Sequence, residues 1–147
     1  MSTIVLSRLK NILVIMMGGI GNMIFLTPAL KALRRALPSS SFCFLLGTYG
    51  AEKAIEGSGL IDKKIVIEPD KYKGLSGYAR LIRELRKERF TLSITSTGMN
   101  PVKSGLLCFL SGIKFRSGEN IRGKGFFYNL KIPFYKDLHE VESNIQL

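Results

Sequence analysis

The run Asn11-Ile-Leu-Val-Ile-Met-Met17, followed at once by Gly18-Gly19-Ile20-Gly21, limits the fold more than any other feature of the chain. A short continuous apolar segment closed by glycines reads as a strand buried on both faces, and such strands belong to parallel sheets. Residues 23–37 then place Ile24, Leu30, Leu33 and Leu37 near one stripe and Lys31, Arg34 and Arg35 on another, with Pro38 to stop the helix. Strand, glycine turn and helix in that order make the first unit of a wound α/β domain.

The alternation continues along the chain. Residues 41–47 read as a second apolar strand, 51–56 as a short helix and 64–68 as a third strand, with turn residues between them. Residues 75–89 form a predicted helix with Leu81, Ile82 and Leu85 inward and Arg80, Arg83, Arg86 and Lys87 outward, before a strand at 90–95 and a helix at 101–110. Residues 113–116 and 126–132 read as short strands around the glycine-rich stretch 117–125, and residue 138 opens a last helix. The fold class that results is α/β, a doubly wound and mostly parallel Rossmann-like sheet with right-handed crossovers. With 147 residues, 46% of them hydrophobic, there is material for one core and too little for two. Cys43 and Cys108 each sit inside an apolar run and read as small buried hydrophobes of a reducing compartment rather than a disulfide framework.

Charge points to the partners. Twenty-two basic residues face 11 acidic ones, a formal net charge of +11, which favours phosphorylated glycolipids, an anionic membrane face or nucleic acid, or is simply a solvated basic surface. Residues 1–10 hold no apolar stretch long enough for a signal-peptide core, and no run approaches the ~20 residues that span a bilayer. A cytoplasmic or peripheral protein is expected. Asp70-Lys-Tyr-Lys-Gly74 and the basic helix through Arg89 offer one face for an anionic leaflet, or an ordinary exposed helix face with Glu84 and Glu88 offsetting its charge. A nucleic-acid reading rests on charge alone, and no RNA-binding signature accompanies Phe126, Phe127 and Tyr128, which read as strand core.

In such a sheet ligands bind beyond the carboxyl ends of the strands, so residues 18–22 are the first place to look for chemistry. Gly18, Gly19 and Gly21 permit close backbone approach, and the N–H groups opening the next helix can hold an anion or a hydroxyl. The spacing is not the dinucleotide fingerprint, no acidic residue follows at about 20 positions, and no Gly-Lys-Ser/Thr is present. A tight turn with no ligand stays open as an alternative. His139 is the sole histidine, so neither a histidine metal cluster nor a Ser/His/Asp triad can be assembled.

Four stretches resemble glycosyltransferase family 9, the lipopolysaccharide heptosyltransferase type. Residues 11–33 look like that family's opening strand, its Gly-x-x-Gly-Asp turn and its Thr27-Pro28-Ala29-Leu30 helix; residues 86–94 resemble its basic helix end and next strand. Ser111-Gly112-Ile113 with Arg116-Ser117-Gly118 is similar to its Ser-Gly-x-x-x-Arg-x-Gly stretch, and Leu138-His139 through Asn144 to its Leu-His-x-Val-x-x-Asn. The resemblance implies the amino-terminal, acceptor-side half of a GT-B enzyme, with residues 1–10 an extension, 11–137 the Rossmann-like domain and 138–147 the start of the helix leading to a donor domain. It implies metal-independent, inverting transfer of a heptose-like sugar from a nucleotide sugar such as ADP-heptose, without a cofactor. The acceptor would be lipopolysaccharide core or a related phosphorylated glycolipid at the cytoplasmic face of the inner membrane, and nucleic acid would not be a partner.

The departures are as informative. Where the resemblance implies a catalytic aspartate, the chain has Asn22; where it implies an arginine at the end of the first strand, Met16; and where it implies an acid at the end of the fourth strand, Thr95. An amide takes no proton at neutral pH, so general-base help of ~10²–10⁴-fold is lost, and no acidic residue precedes Glu52 to replace it. Gly18, Gly19 and Gly21 are the expected acceptor-binding positions, with Lys103, Arg116 and His139 as candidates for acceptor phosphate; His139 equally fits a structural place near the linker, and Lys103 a solvated face. The expectation is a glycosyltransferase half, with a catalytically silent glycolipid-binding module as the alternative.

Overall fold

The computed structural model describes residues 6–47, 50–134 and 139–145. The core is one six-stranded sheet built from β1 (Asn11–Met16), β2 (Ser41–Leu46), β3 (Lys63–Val66), β4 (Leu92–Thr95), β5 (Phe115–Glu119) and β6 (Leu130–Ile132) in the order β3-β2-β1-β4-β5-β6. Every pairing is parallel. The Rossmann-like fold class read from the sequence is therefore the observed one. Helices α1 (Ile20–Ala36), α2 (Gly74–Lys87) and α3 (Pro101–Leu110) link the strands, and a short α4 (Glu140–Ile145) follows the sheet.

Parallel pairing explains why β1 and β2 read as unbroken apolar runs. Successive side chains point to opposite faces, and both faces are covered. Ile12, Val14, Met16, Phe42, Phe44 and Leu46 pack on one face with Met23, Leu26 and Leu30 of α1. Leu13, Ile15, Cys43 and Leu45 pack on the other with Leu81 and Leu85 of α2 and Leu107 and Cys108 of α3. Both cysteines are buried free thiols, and burial pushes each up to about 11.

Several local expectations give way to tertiary packing. Ile24 is 56% exposed, because the buried stripe of α1 runs through Met23, Leu26, Ala29 and Leu30. Arg34, read as a surface cation, is drawn inward: its guanidinium donates to the carbonyls of Ser40 and Leu60 and to Asp62. Burial pushes the Asp62 carboxyl up, yet the Phe42 N–H and the Arg34 guanidinium, both at 2.8 Å, outweigh it and hold the acid below the usual carboxylate range. The helix expected to reach residue 89 ends at Lys87, and Arg89 turns the chain with φ +51.

The largest difference lies after α3. Residues 113–116 were expected as the strand, whereas β5 begins at Phe115 and takes in Ser117, Gly118 and Glu119 from the glycine-rich stretch, because those residues pair with β6. Phe126, Phe127 and Tyr128 form a turn rather than strand core. Only Tyr128 is buried, its ring lying across Gly118, where a Cβ would stand 2.4 Å from Cζ.

Candidate functional site

The strand order places the switch point between β1 and β4: the chain leaves β1 through α1 on one face of the sheet, while α2 and α3 flank β4 on the other. In open α/β sheets the ligand crevice lies outside the carboxyl ends of the strands at that point. Here it is framed by residues 17–22 after β1, residues 96–100 after β4 and the end of β5.

The glycine turn is closely built. A Cβ on Gly18 would stand 2.6–2.7 Å from the Asn22 side chain, so the absence of a side chain at 18 is what lets Asn22 fold back over the turn. Gly19 and Gly21 have open space around them. Gly19 caps α1 without a side-chain acceptor, and the first turn of α1 carries no acidic residue, so the positive end of a 17-residue helix faces the crevice. Sulfur holds the turn in place: Gly18 N–H donates to Met16 Sδ at 3.1 Å and Met17 N–H to Met99 Sδ at 3.4 Å. Met16, where the resemblance implies an arginine, is wholly buried.

Across the crevice, Ser96 extends the β4 pairing by donating its N–H to Ile15 at 3.0 Å. Asn100 caps α3, its Oδ1 accepting from the N–H groups of Val102 and Lys103 at 3.1 Å each. Glu119, at the end of β5, is buried and accepts the Gly98 N–H at 3.1 Å. It is the one buried carboxylate among the described residues near the crevice, and its place inside a glycine-rich stretch gives no local signal of that burial.

Two cavities adjoin this edge. One, of about 320 Å³, opens between α2 and α3 and is lined by Met17, Met99, Tyr72, Tyr78, Leu107 and Lys103 among others. The second, of about 450 Å³, is bordered by Asn100, Pro101, Lys103, Arg122, Lys124 and Phe134. Lys103 thus lines both. Arg122 and Lys124 were not anticipated, although their spacing around Gly123 inside the glycine stretch was available as a signal; Arg122 holds φ +49, a strained conformation for a residue with a side chain.

The other two sequence candidates have partners within the chain. Arg116 lies near the start of β5, away from the carboxyl edge; its Nε donates to Phe127 O at 2.7 Å and its Nη1 to Ile113 O at 2.6 Å, so it staples a turn. His139 lies edge-on to Phe25 of α1, centroids 5.2 Å apart, and its Nδ1 accepts the Val141 N–H at 3.3 Å. It anchors α4 to α1. Leu138, the residue before it in the resemblance, lies outside the described residues.

No protein-family model and no curated protein matches the chain. Solved structures do. The structure of E. coli ADP-heptose LPS heptosyltransferase II superposes with a TM-score of 0.75 at 19% identity over 92% of this chain. E. coli heptosyltransferase WaaC with ADP-2-deoxy-2-fluoro heptose gives 0.72 at 18% over 92%, and the glycosyl transferase family 9 protein of Veillonella parvula 0.72 at 20% over 92%. The chain has the fold of one part of these transferases. It spans 39%, 46% and 40% of their respective lengths.

Proposed function

We propose that the chain is the acceptor-side part of a glycosyltransferase of the heptosyltransferase type, with residues 11–137 as the acceptor domain and residues 138–147 opening the connection to a donor-binding domain. The observation that carries this reading is the crevice at the β1–β4 switch point. It is framed by the turn at 18–22, and next to it, from Asn100 outward, lies the cavity lined by Lys103, Arg122 and Lys124, on a fold that likens the chain to nucleotide-sugar enzymes. A sugar hydroxyl would lie over Gly18, Gly19 and Gly21, oriented by Asn22, while the three cations neutralise phosphate on a lipopolysaccharide-core or related glycolipid acceptor. The donor would be ADP-heptose or another nucleotide sugar, held by the separate domain. The attacking oxygen forms the new bond to the anomeric carbon as the nucleoside diphosphate leaves, and its proton passes to water or to a base from the donor side, since an amide at 22 accepts none. The chain would work as a peripheral protein on the cytoplasmic face of the inner membrane; among the described residues no helix is long and apolar enough to cross a membrane.

The test is titration of the chain with a phosphorylated lipopolysaccharide-core oligosaccharide, read by amide NMR. Shifts at residues 17–22, 96–103 and 122–124 are expected, with affinity reduced about tenfold or more by Lys103→Ala with Arg122→Ala. An oligosaccharide that moves none of these amides at millimolar concentration sinks the acceptor reading. Asn22 favours a second reading, a glycolipid-binding module without turnover. With a donor domain supplied, Asn22→Asp should raise transfer by ~10²-fold or more if the chain belongs to a working enzyme. Absence of transfer with either residue leaves the binding module.

A further inference from the structure

The outer face of α3 is only partly covered among the described residues. Val102, Leu106, Phe109 and Leu110 fall on one stripe of the helix by their spacing, and none of the four is buried; Phe109 is 52% exposed. The stripe is widened at one end by Phe126, 58% exposed, stacked through Phe127 with centroid separations of 4.5 and 5.7 Å to Phe126 and Phe109. At the other end stands Phe134, 46% exposed, beside Val102 at the second cavity. Soluble surfaces rarely carry so many exposed aromatic rings together.

Cations surround the stripe. The Arg116 guanidinium lies 5.4 Å from the Phe109 ring, and Arg86 reaches from α2 to donate to the Leu110 carbonyl at 2.9 Å. Lys114 is exposed just before β5, and Lys131, paired with Gly118, lies on the α3 side of the sheet by strand alternation. Residues 101–134 contain six basic residues and one acidic residue, Glu119, and that one is buried. By contrast α2, the basic helix the sequence offered for a membrane face, exposes one large apolar residue, Leu75 in its first turn, and otherwise presents small and charged side chains, with Glu84 engaged by Lys71 and Tyr72. Because α3 runs antiparallel to the strands, Phe109 lies toward the amino edge of the sheet, away from the crevice.

We propose that the Val102–Leu106–Phe109 face of α3, with Phe126 and its ring of lysines and arginines, is the surface by which the protein docks on an anionic lipid bilayer. The rings sit at the headgroup level and the cations meet lipid phosphate, the arrangement that holds interfacial helices in place. The proposal stands on this patch and does not depend on sugar transfer.

The test is co-sedimentation of the full chain with phosphatidylcholine vesicles, with and without phosphatidylglycerol. Binding only to the anionic vesicles is expected, weakened about tenfold or more by Phe109→Ser with Phe126→Ser and about fivefold for each cation lost in Lys114→Ser and Lys131→Ser. All four positions are exposed or at an edge, and circular dichroism checks that each variant folds. The chain has no tryptophan, so Phe126→Trp supplies a single reporter whose emission shifts to the blue on docking. No binding to anionic vesicles, binding that these substitutions leave unchanged, or an emission that does not move overturns the proposal. A dimer in sedimentation analysis that the Phe109→Ser/Phe126→Ser variant dissociates, without vesicle binding, also overturns it and assigns the face to a second copy.

Discussion

Gly118 offers a sharp test of how the sheet and the turn after β5 depend on each other. A Cβ there would stand 2.4, 2.6 and 2.8 Å from Cζ, Cε2 and Cε1 of Tyr128, whereas carbon atoms pack best at about 3.5–4.0 Å. The ring is 2% exposed and also meets Gly105 of α3, so it must move by about 1 Å with no space to move into. Gly118→Ala therefore overpacks the site, at a typical cost of about 1–3 kcal/mol, against which a strand gains about 0.5–1 kcal/mol by losing glycine's freedom. The net expectation is a loss of about 1–2 kcal/mol. Tyr128→Ala alone should cost about 3–5 kcal/mol, as aromatic truncations in cores do. In the double variant the clash has no partner, so it should be no less stable than Tyr128→Ala, giving a coupling of about 1–3 kcal/mol. Urea unfolding followed by circular dichroism measures all three. A Gly118→Ala protein as stable as the parent, or a double variant whose loss is the sum of the singles, refutes the packing argument.

Asn22→Asp places a carboxylate in the acid-free first turn of α1 and should stabilise the fold by about 0.3–1 kcal/mol at low ionic strength, a gain that added salt removes; thermal unfolding at two salt concentrations reads it. Asp62 has a folded pKa held below its ordinary value, so its contribution is present above the unfolded carboxylate pKa and is lost as pH falls through the folded one. The exposed pairing limits this to about 0.5–1 kcal/mol, and Asp62→Asn should flatten that part of the acid-side stability profile. Cys43 and Cys108, both pushed up to about 11 by burial, should resist a thiol reagent at mildly alkaline pH and react together once urea unfolds the chain; rapid labelling of the native protein would contradict their burial.

Much of this was legible along the chain because it is local. The apolar run at 11–17 could only be satisfied by cover on two faces, and α3 begins and ends where Asn100 and Ser111 indicate, since Pro101 and the Asn100 cap act within one turn. The Arg34 environment was not legible, because its partners Leu60 and Asp62 lie 26 and 28 residues away. The same holds for β5: glycine at 118 reads as loop until Tyr128 is seen lying across it.

The candidate site divides in the same way. The sequence by itself determined the glycine turn, the amide side chain at Asn22 and the parallel sheet, because backbone freedom, side-chain chemistry and hydrophobic patterning are properties of neighbouring residues. Only the tertiary structure decided where the charged residues fall: it brought Lys103 together with Arg122 and Lys124 around one cavity, tied Glu119 to Gly98, and gave Arg116 and His139 partners within the chain. Those choices depend on which strand ends become neighbours and which backbone carbonyls are left for a cation to satisfy, and both are fixed when the sheet closes in its order.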